Sequence, residues 1–308
     1  MMRVLILGCG YVGLEAGRQL VSAGHSVVGL CRTPERSSVL EAAGVEPAVG
    51  DLTLRSDLDR LSGPFDAVIN TVSSSRGGAA EYRSVYLEGT RTVIEWLRSH
   101  PLKRYAYTSS TSVYAQTDGS LVDETSPATP GGETGGLLRE TEDLLLREVR
   151  ERAFPAVILR VAGIYGPERG FLFQKFLAGE ATVSGDGRRF INMVHRDDVA
   201  SALVRVMDPS ISPGLYNCAD DAPVTQYEFL EWAARELDRP MPPSAPEPAP
   251  GTRKRGVSHK RVSNAKLRAT GWKPAFPTWR EGYKSWVAAV RAGAASAGSQ
   301  PQPGATEA

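Results

Sequence analysis

The sequence predicts an α/β fold, a doubly wound parallel sheet with a smaller C-terminal region, and three observations carry that prediction. Short β-branched runs alternate with amphipathic stretches through the first two-thirds of the chain, as in a parallel sheet covered by helices on both faces. The first apolar run, Val4-Leu5-Ile6-Leu7, ends in the glycine cluster Gly8-Cys9-Gly10-Tyr11-Val12-Gly13. A chain of 308 residues, 41% hydrophobic and 23% charged, can also bury one large core or two joined ones.

Taken in order, the apolar runs predict strands over 3–8, 26–31, 66–71, 104–109 and 156–161, and the amphipathic stretches predict helices over 12–23, 35–43, 79–98 and 137–152. Helix 12–23 carries Val12, Ala16 and Leu20 on one stripe. Gly13 and Gly17 beside that stripe let its backbone lie close to the sheet, and Gly24 ends it. After about residue 170 the alternation becomes irregular, with segments expected to interleave with the sheet. Thr225-Gln226-Tyr227-Glu228 reads as a capping box opening a helix to about 237. Residues 239–251 hold prolines at 240, 242, 243, 246, 248 and 250, so this stretch is an extended loop, either a connector or a lid. Residues 291–308, largely Ala, Gly, Ser, Gln and Pro, read as a disordered tail.

The glycine cluster is a G-x-G-x-x-G between a strand and a helix, the turn of a Rossmann-type dinucleotide-binding domain. Gly8 turns the chain, Gly10 admits a pyrophosphate to the backbone, and Gly13 lets helix pack on strand. Tyr11 and Val12 open the helix, whose unpaired N–H groups and dipole favour negative charge. The predicted organisation is therefore a dinucleotide-binding domain over 1–170, a smaller substrate-binding region over 171–290, and the tail. At the end of the second strand, where an acidic residue would bond the adenosine ribose of NAD, stands Arg32, with Arg36 nearby. Arg32 either pairs with the 2′-phosphate of NADP or is a solvated strand end. The charge-assisted pairing makes NADP the expected cofactor, with NAD as the alternative.

Net charge is +1, from 36 basic and 35 acidic residues, so no excess of either sign draws the chain to nucleic acid or anionic lipid. Cys9, Cys31 and Cys218 are odd in number and lack C-x-x-C spacing, against a disulfide framework or a zinc site. The apolar run after Arg3 is too short for a signal peptide, and no run reaches the roughly 20 residues of a spanning helix. The expectation is a cytoplasmic protein acting on a small-molecule substrate, with no nucleic-acid or membrane partner.

Further segments carry a resemblance: Gly50-Asp51-Leu52, Asn70-Thr71-Val72, Leu87-Glu88-Gly89-Thr90, Tyr107 through Tyr114 (Tyr-Thr-Ser-Ser-Thr-Ser-Val-Tyr), Leu159-Arg160 through Tyr165-Gly166-Pro167, and Val194-His195-Arg196-Asp197-Asp198-Val199. In that order they resemble the landmarks of the extended short-chain dehydrogenase/reductase superfamily, the NAD-dependent epimerase/dehydratase group, over nearly all of 3–290. The resemblance implies that Asp51 and Leu52 contact adenine, that Thr71 and Val72 wall the cofactor, and that the segment from Arg160 folds over the nicotinamide. It also implies that Ser110 polarises a substrate oxygen, and that a homodimer forms through helices 79–98 and 137–152. That family takes its proton from a Tyr-x-x-x-Lys pair. Here the tyrosine position falls on Thr134 and the lysine position on Leu138, and no tyrosine has a lysine four residues later. The chain thus resembles an atypical subgroup lacking the pair.

Another proton donor is then required, because a threonine hydroxyl cannot replace a phenol. Thr111 and Tyr114 accompany Ser110 and Thr134 as catalytic candidates; His195, Glu133 and Arg139 are weaker ones. The family's diphosphate-holding arginine falls on Ile191, with Arg188 and Arg189 slightly upstream. Two functions fit: an NADP(H)-dependent oxidoreductase or epimerase-like enzyme, or a catalytically silent NAD(P)-binding sensor or scaffold. Retention of Ser110, Thr111 and Tyr114 favours the enzyme.

Overall fold

The computed structural model describes residues 1–74, 77–247 and 258–298, with side chains described as far as 293. Seven strands make one wholly parallel sheet: β1 (Arg3–Leu7), β2 (Ser26–Cys31), β3 (Glu46–Val49), β4 (Ala67–Asn70), β5 (Arg104–Ser110), β6 (Ala156–Val161) and β7 (Gly214–Cys218). Their spatial order is β7-β6-β5-β4-β1-β2-β3. The order reverses at the β1–β4 neighbours, so a crevice opens there at the carboxyl ends of the strands. β4 and β6 are buried at every residue, which is why they read as unbroken apolar runs.

Two sheet strands had no counterpart in the sequence reading. β3 contains Pro47 and is largely uncovered, as an edge strand that needs no apolar pattern. β7 forms the other edge, and its polar Asn217 bonds to Tyr114 and to the Ser263 carbonyl. It comes from the region beyond 170, whose segments were expected to interleave with the sheet, and it completes the sheet at that edge.

Helix α1 (Tyr11–Ser22) follows the glycine turn. Gly8 has φ +81°, and a Cβ on it would lie 2.6 Å from Val72. A Cβ on Gly13 would lie 2.7 Å from the Gly8 carbonyl oxygen and from Thr71 Oγ1, and one on Gly17 would lie 2.8 Å from Val45. These glycines let helix and sheet meet. Helix α2 (79–97) is continuous, with a π-helical stretch over Arg83–Glu88 that brings Tyr86 to the cleft described below. Helix α3 (Glu133–Arg152) begins four residues before the predicted 137, since Gly135 and Gly136 depress helical propensity in its first turn. The predicted helix 35–43 is a 3₁₀ turn at Pro34–Arg36 followed by a short helix at Ser37–Glu41.

The longer helices that follow are α4 (Phe171–Leu177), α5 (Arg196–Arg205), α6 (Gln226–Glu236) and α7 (Trp279–Gly298). α5 packs on α1, and α6 starts at the predicted capping box of Thr225 and Glu228. A second apolar cluster, with Phe173, Phe229, Trp232, Trp279 and Tyr283 at its centre, supports the C-terminal side of the cleft. The tail expectation is corrected at its start: α7 is helical to Gly298, and Arg291 bonds the Glu236 carbonyl and carboxylate. The rest of the expected tail lies outside the described residues. In the proline-rich stretch, Ser244–Ala245 pairs with Val183–Ser184, and 248–251 lies outside the described residues. No helix among the described residues is long and apolar enough to cross a membrane.

One buried ion pair joins α3 to the sheet. Glu142, fully buried, accepts from Arg160 Nε at 3.0 Å and Nη2 at 2.7 Å, and from Ser109 Oγ at 2.7 Å. Removing one partner leaves an uncompensated buried charge. Glu142→Ala is expected to lower unfolding free energy by about 3 to 5 kcal/mol in urea titration; a loss below about 1 kcal/mol, the range of a surface pair, would contradict this role.

Candidate active site

A single cleft of about 1360 Å³ runs along the carboxyl ends of the strands. At one end lie Gly8, Gly10, Tyr11 and Val12. A Cβ on Gly10 would meet only the Gly8 carbonyl, at 3.9 Å, so the turn offers open backbone at the start of α1, whose first turn has no acidic residue. These features fit a pyrophosphate. Gly13 does not line the cleft; it serves helix packing. Thr71 Oγ1 donates to the Gly8 carbonyl at 2.9 Å and so ties β4 to the glycine turn, while Thr71 and Val72 both form cleft wall.

Arg32 and Arg36 line the cleft at the end of β2. Arg32 is exposed and makes no ion pair among the described residues; Arg36 donates to the Cys9 carbonyl at 3.4 Å. Asp51 and Leu52 line the same end. The Asp51 carboxylate accepts from the Thr53 amide and hydroxyl, which holds the loop after β3 in place.

At the carboxyl end of β5, Ser110 and the following turn residues Thr111 and Ser112 line the cleft. Ser110 Oγ accepts the Ser112 amide at 3.2 Å and caps a 3₁₀ turn over Thr111–Val113. The Ser112 hydroxyl is buried without a protein partner. Leu138, at the lysine position, lines the cleft as an apolar wall.

Three predicted site residues are placed elsewhere. Tyr114 is buried beneath the cleft, its phenol donating to the Asp123 carbonyl at 2.8 Å and to Asn217 Oδ1 at 2.9 Å, and burial raises its pKa further. It is a structural tether. Arg160 is engaged by Glu142 and lies 4.7 Å over the Tyr114 ring, so it supports the site from behind instead of touching a cofactor. Thr134 is buried in the first turn of α3 and is not part of the cleft wall.

The weaker candidates are also accounted for. His195 is buried, its Nδ1 accepts the Asp197 amide as the N-cap of α5, and burial lowers its pKa. Arg139 pairs with Glu142 and Asp143, and Glu133 is exposed. Arg188 pairs with Asp186 at the surface, whereas Arg189 and Ile191 line the cleft.

Two features escaped the sequence reading. Tyr11 donates to the Pro167 carbonyl at 2.9 Å, and its ring lies 5.1 Å from the guanidiniums of both Arg169 and Arg196. The glycine turn is thereby clamped to the loop after β6. Lys260 also lines the cleft. It lies far from every motif and in no periodic pattern, so nothing in the sequence singled it out.

A Rossmann-type sheet, a glycine turn open to pyrophosphate and a hydroxyl-bearing strand end on one cleft define a dinucleotide-dependent class of protein. The chain belongs to the NAD-dependent epimerase/dehydratase family, whose model matches residues 4–219. It is 30% identical over 245 residues to protein YeeZ of Escherichia coli K12, covering 77% of this chain and 84% of YeeZ. A 3-diazoavenalumate denitrifying reductase from a Streptomyces is 26% identical over 320 residues, covering 91% and 99% of the two chains. A solved structure from Methylobacillus flagellatus, described in terms of the same NAD-dependent epimerase/dehydratase class, has a TM-score of 0.75 at 30% identity, covering 94% of this chain and 99% of that one. The fold is shared with the dTDP-glucose 4,6-dehydratase DesIV of Streptomyces venezuelae, solved with NAD, at TM-score 0.80 and 19% identity, covering 96% and 98%.

Beside the cleft, Asp220 carries a testable charge state. It is 2% exposed, one carboxylate oxygen has no partner, and burial pushes its pKa up to about 8. The folded protein then holds a proton that the unfolded chain releases, so Asp220 lowers stability as pH rises from roughly 4 to 8. Asp220→Asn is expected to flatten that decline, by at most about 1.4 kcal/mol per pH unit, in urea unfolding across this range. Parallel pH profiles for the two proteins would contradict the assignment.

Proposed function

We propose that this protein is an NADP(H)-dependent oxidoreductase that moves hydride between the nicotinamide and an oxygen-bearing carbon of a small polar substrate. The observation that carries the reading is the pairing, on one cleft, of two arginines at the end of β2 with the Ser110 hydroxyl at the end of β5. The open backbone at Gly10 fits the pyrophosphate, and Arg32 and Arg36 fit a 2′-phosphate through charge-assisted bonds. Bound there, the cofactor supplies or accepts hydride. Ser110 donates a hydrogen bond to the substrate oxygen, which orients it and stabilises the charge that develops on it. The apolar wall at Leu138 and Val161 excludes water from that end.

Relatives support the oxidoreductase part of the reading through their own activities: a denitrifying reductase and a quinoline-oxide ketoreductase are among them. We further propose a cytoplasmic location and a homodimer formed through α2 and α3.

Calorimetric titration tests the cofactor assignment. NADPH is expected to bind more tightly than NADH, and Arg32→Ala should weaken NADPH by about 1.5 to 3 kcal/mol, roughly 10- to 100-fold, while leaving NADH nearly unchanged. Equal affinity of the unmodified protein for both dinucleotides would overturn it. Ser110→Ala should bind NADPH normally but lower turnover by about 100-fold or more; undiminished turnover would remove Ser110 from the reaction.

A further inference from the structure

The reaction needs a proton for the substrate oxygen, and Thr134 and Leu138 cannot supply it. Of the two lysines that line the cleft, Lys175 and Lys260, it is Lys260 whose amine bonds to the segment that follows Ser110. Lys260 is 3% exposed and lines the cleft together with Ser110, Thr111 and Ser112. Its Nζ donates to the Tyr114 carbonyl at 3.0 Å and to Ser258 Oγ at 2.7 Å. The first of these acceptors sits directly after the 3₁₀ turn that Ser110 caps, so the ammonium and the Ser110 hydroxyl belong to one short stretch of wall.

The backbone holds this amine in place. Arg261–Val262 pairs with Leu121–Val122, the His259 amide donates to the Gln116 carbonyl, and the Lys260 carbonyl accepts from Asn192 Nδ2. Asn192 Oδ1 in turn accepts the Val262 amide at 2.8 Å. Among the described residues no carboxylate pairs with Lys260. Its charged and titratable neighbours are otherwise engaged: the Tyr114 phenol by Asp123 and Asn217, His259 by the Phe190 amide and ring, Arg261 by the Gly119 carbonyl, and Arg189 by Glu247. An ammonium taken from water with two neutral acceptors and no counter-charge loses its proton readily. Burial pushes the Lys260 pKa down to about 8.

We propose that Lys260 is the proton donor and acceptor of the reaction, in place of the missing tyrosine–lysine pair; this rests on the oxidoreductase reading above. In the reducing direction the substrate carbonyl carbon receives hydride from the dihydronicotinamide, the C=O π bond breaks, and the oxygen takes a proton from Nζ. The products are an alcohol, the oxidised nicotinamide and a neutral amine, which regains its proton from water. In the oxidising direction each transfer reverses. Ser110 holds the oxygen and Lys260 exchanges the proton, so two groups distant in sequence share the work.

Two measurements test this. In the first, trace labelling of the whole protein with acetic anhydride, read by mass spectrometry across pH, gives the titration of each labelled lysine without reference to turnover. Lys260 is expected to label with a midpoint near pH 8. In the second, NADPH oxidation is followed with 4-nitrobenzaldehyde as the carbonyl probe. Unmodified protein should lose activity as pH rises through the Lys260 midpoint, because the donor is then neutral. Lys260→Arg keeps charge and hydrogen bonding but releases no proton; it and Lys260→Met should bind NADPH normally and turn over about 100-fold or more slowly, and Lys260→Arg should lose the pH dependence. An ordinary titration of Lys260 near 10.4, or full turnover in Lys260→Arg, would overturn the proposal alone. Failure of the unmodified protein to oxidise NADPH counts against the oxidoreductase reading and takes the donor role with it.

Discussion

The buried contact between Glu142 and Arg160 sets the geometry on which the cleft depends. It is made where α3, β5 and β6 converge, because Glu142 takes Ser109 of β5 and Arg160 of β6 at once. A carboxylate and a guanidinium removed from water are tolerated only when each is bonded by the other and by further polar groups. That requirement leaves little freedom of register: α3 cannot slide along the sheet without stranding a charge. The residue after Ser109 is Ser110, so the hydroxyl proposed to hold the substrate inherits the precision of the ion pair behind it. Arg160 also lies over the Tyr114 ring, and the Tyr114 carbonyl receives Lys260. A continuous run of contacts therefore leads from the helix through the sheet to the amine in the cleft.

The opposite end of the cleft is governed by close approach instead of charge. Gly8, Gly13 and Gly17 permit contacts that a Cβ would forbid, so α1 begins where its amide dipoles open onto the crevice. Tyr11 then links this turn to the loop after β6 through Pro167 and Arg169, and to the start of α5 through Arg196. The glycine turn and these segments are thus coupled through one aromatic ring that meets two cations. A ligand in the glycine turn would meet a loop already anchored, which limits the ordering cost of binding.

Much of this was legible in the sequence. The glycine turn, the buried strands and the capping box of α6 follow from local rules of backbone shape and periodicity, and each is satisfied within a few residues of chain. The edge strands were not legible, because Pro47 in β3 and Asn217 in β7 break the apolar pattern at positions where only one neighbour strand is present. The roles of Tyr114 and Arg160 could not be read either. A tyrosine beside a reactive strand looks available until its phenol is seen to bond Asp123 and Asn217, and an arginine at a strand end looks ligand-facing until Glu142 is found beneath it. Lys260 was hidden for a related reason: its position arises from a parallel pairing between 261–262 and 121–122, a contact between segments far apart that no short-range pattern encodes.

In the proposed reading, one cleft places a phosphate-binding turn, a hydroxyl and an amine without a counter-charge around a single nicotinamide. A crystal structure of the full chain with NADP⁺ tests this most directly. The pyrophosphate is expected on the start of α1, the 2′-phosphate between Arg32 and Arg36, and the nicotinamide ring beside Ser110 with Lys260 facing the space above it. A dinucleotide with its nicotinamide directed away from Ser110, or one that buries Lys260 against the cofactor and leaves no room for a substrate, would contradict it.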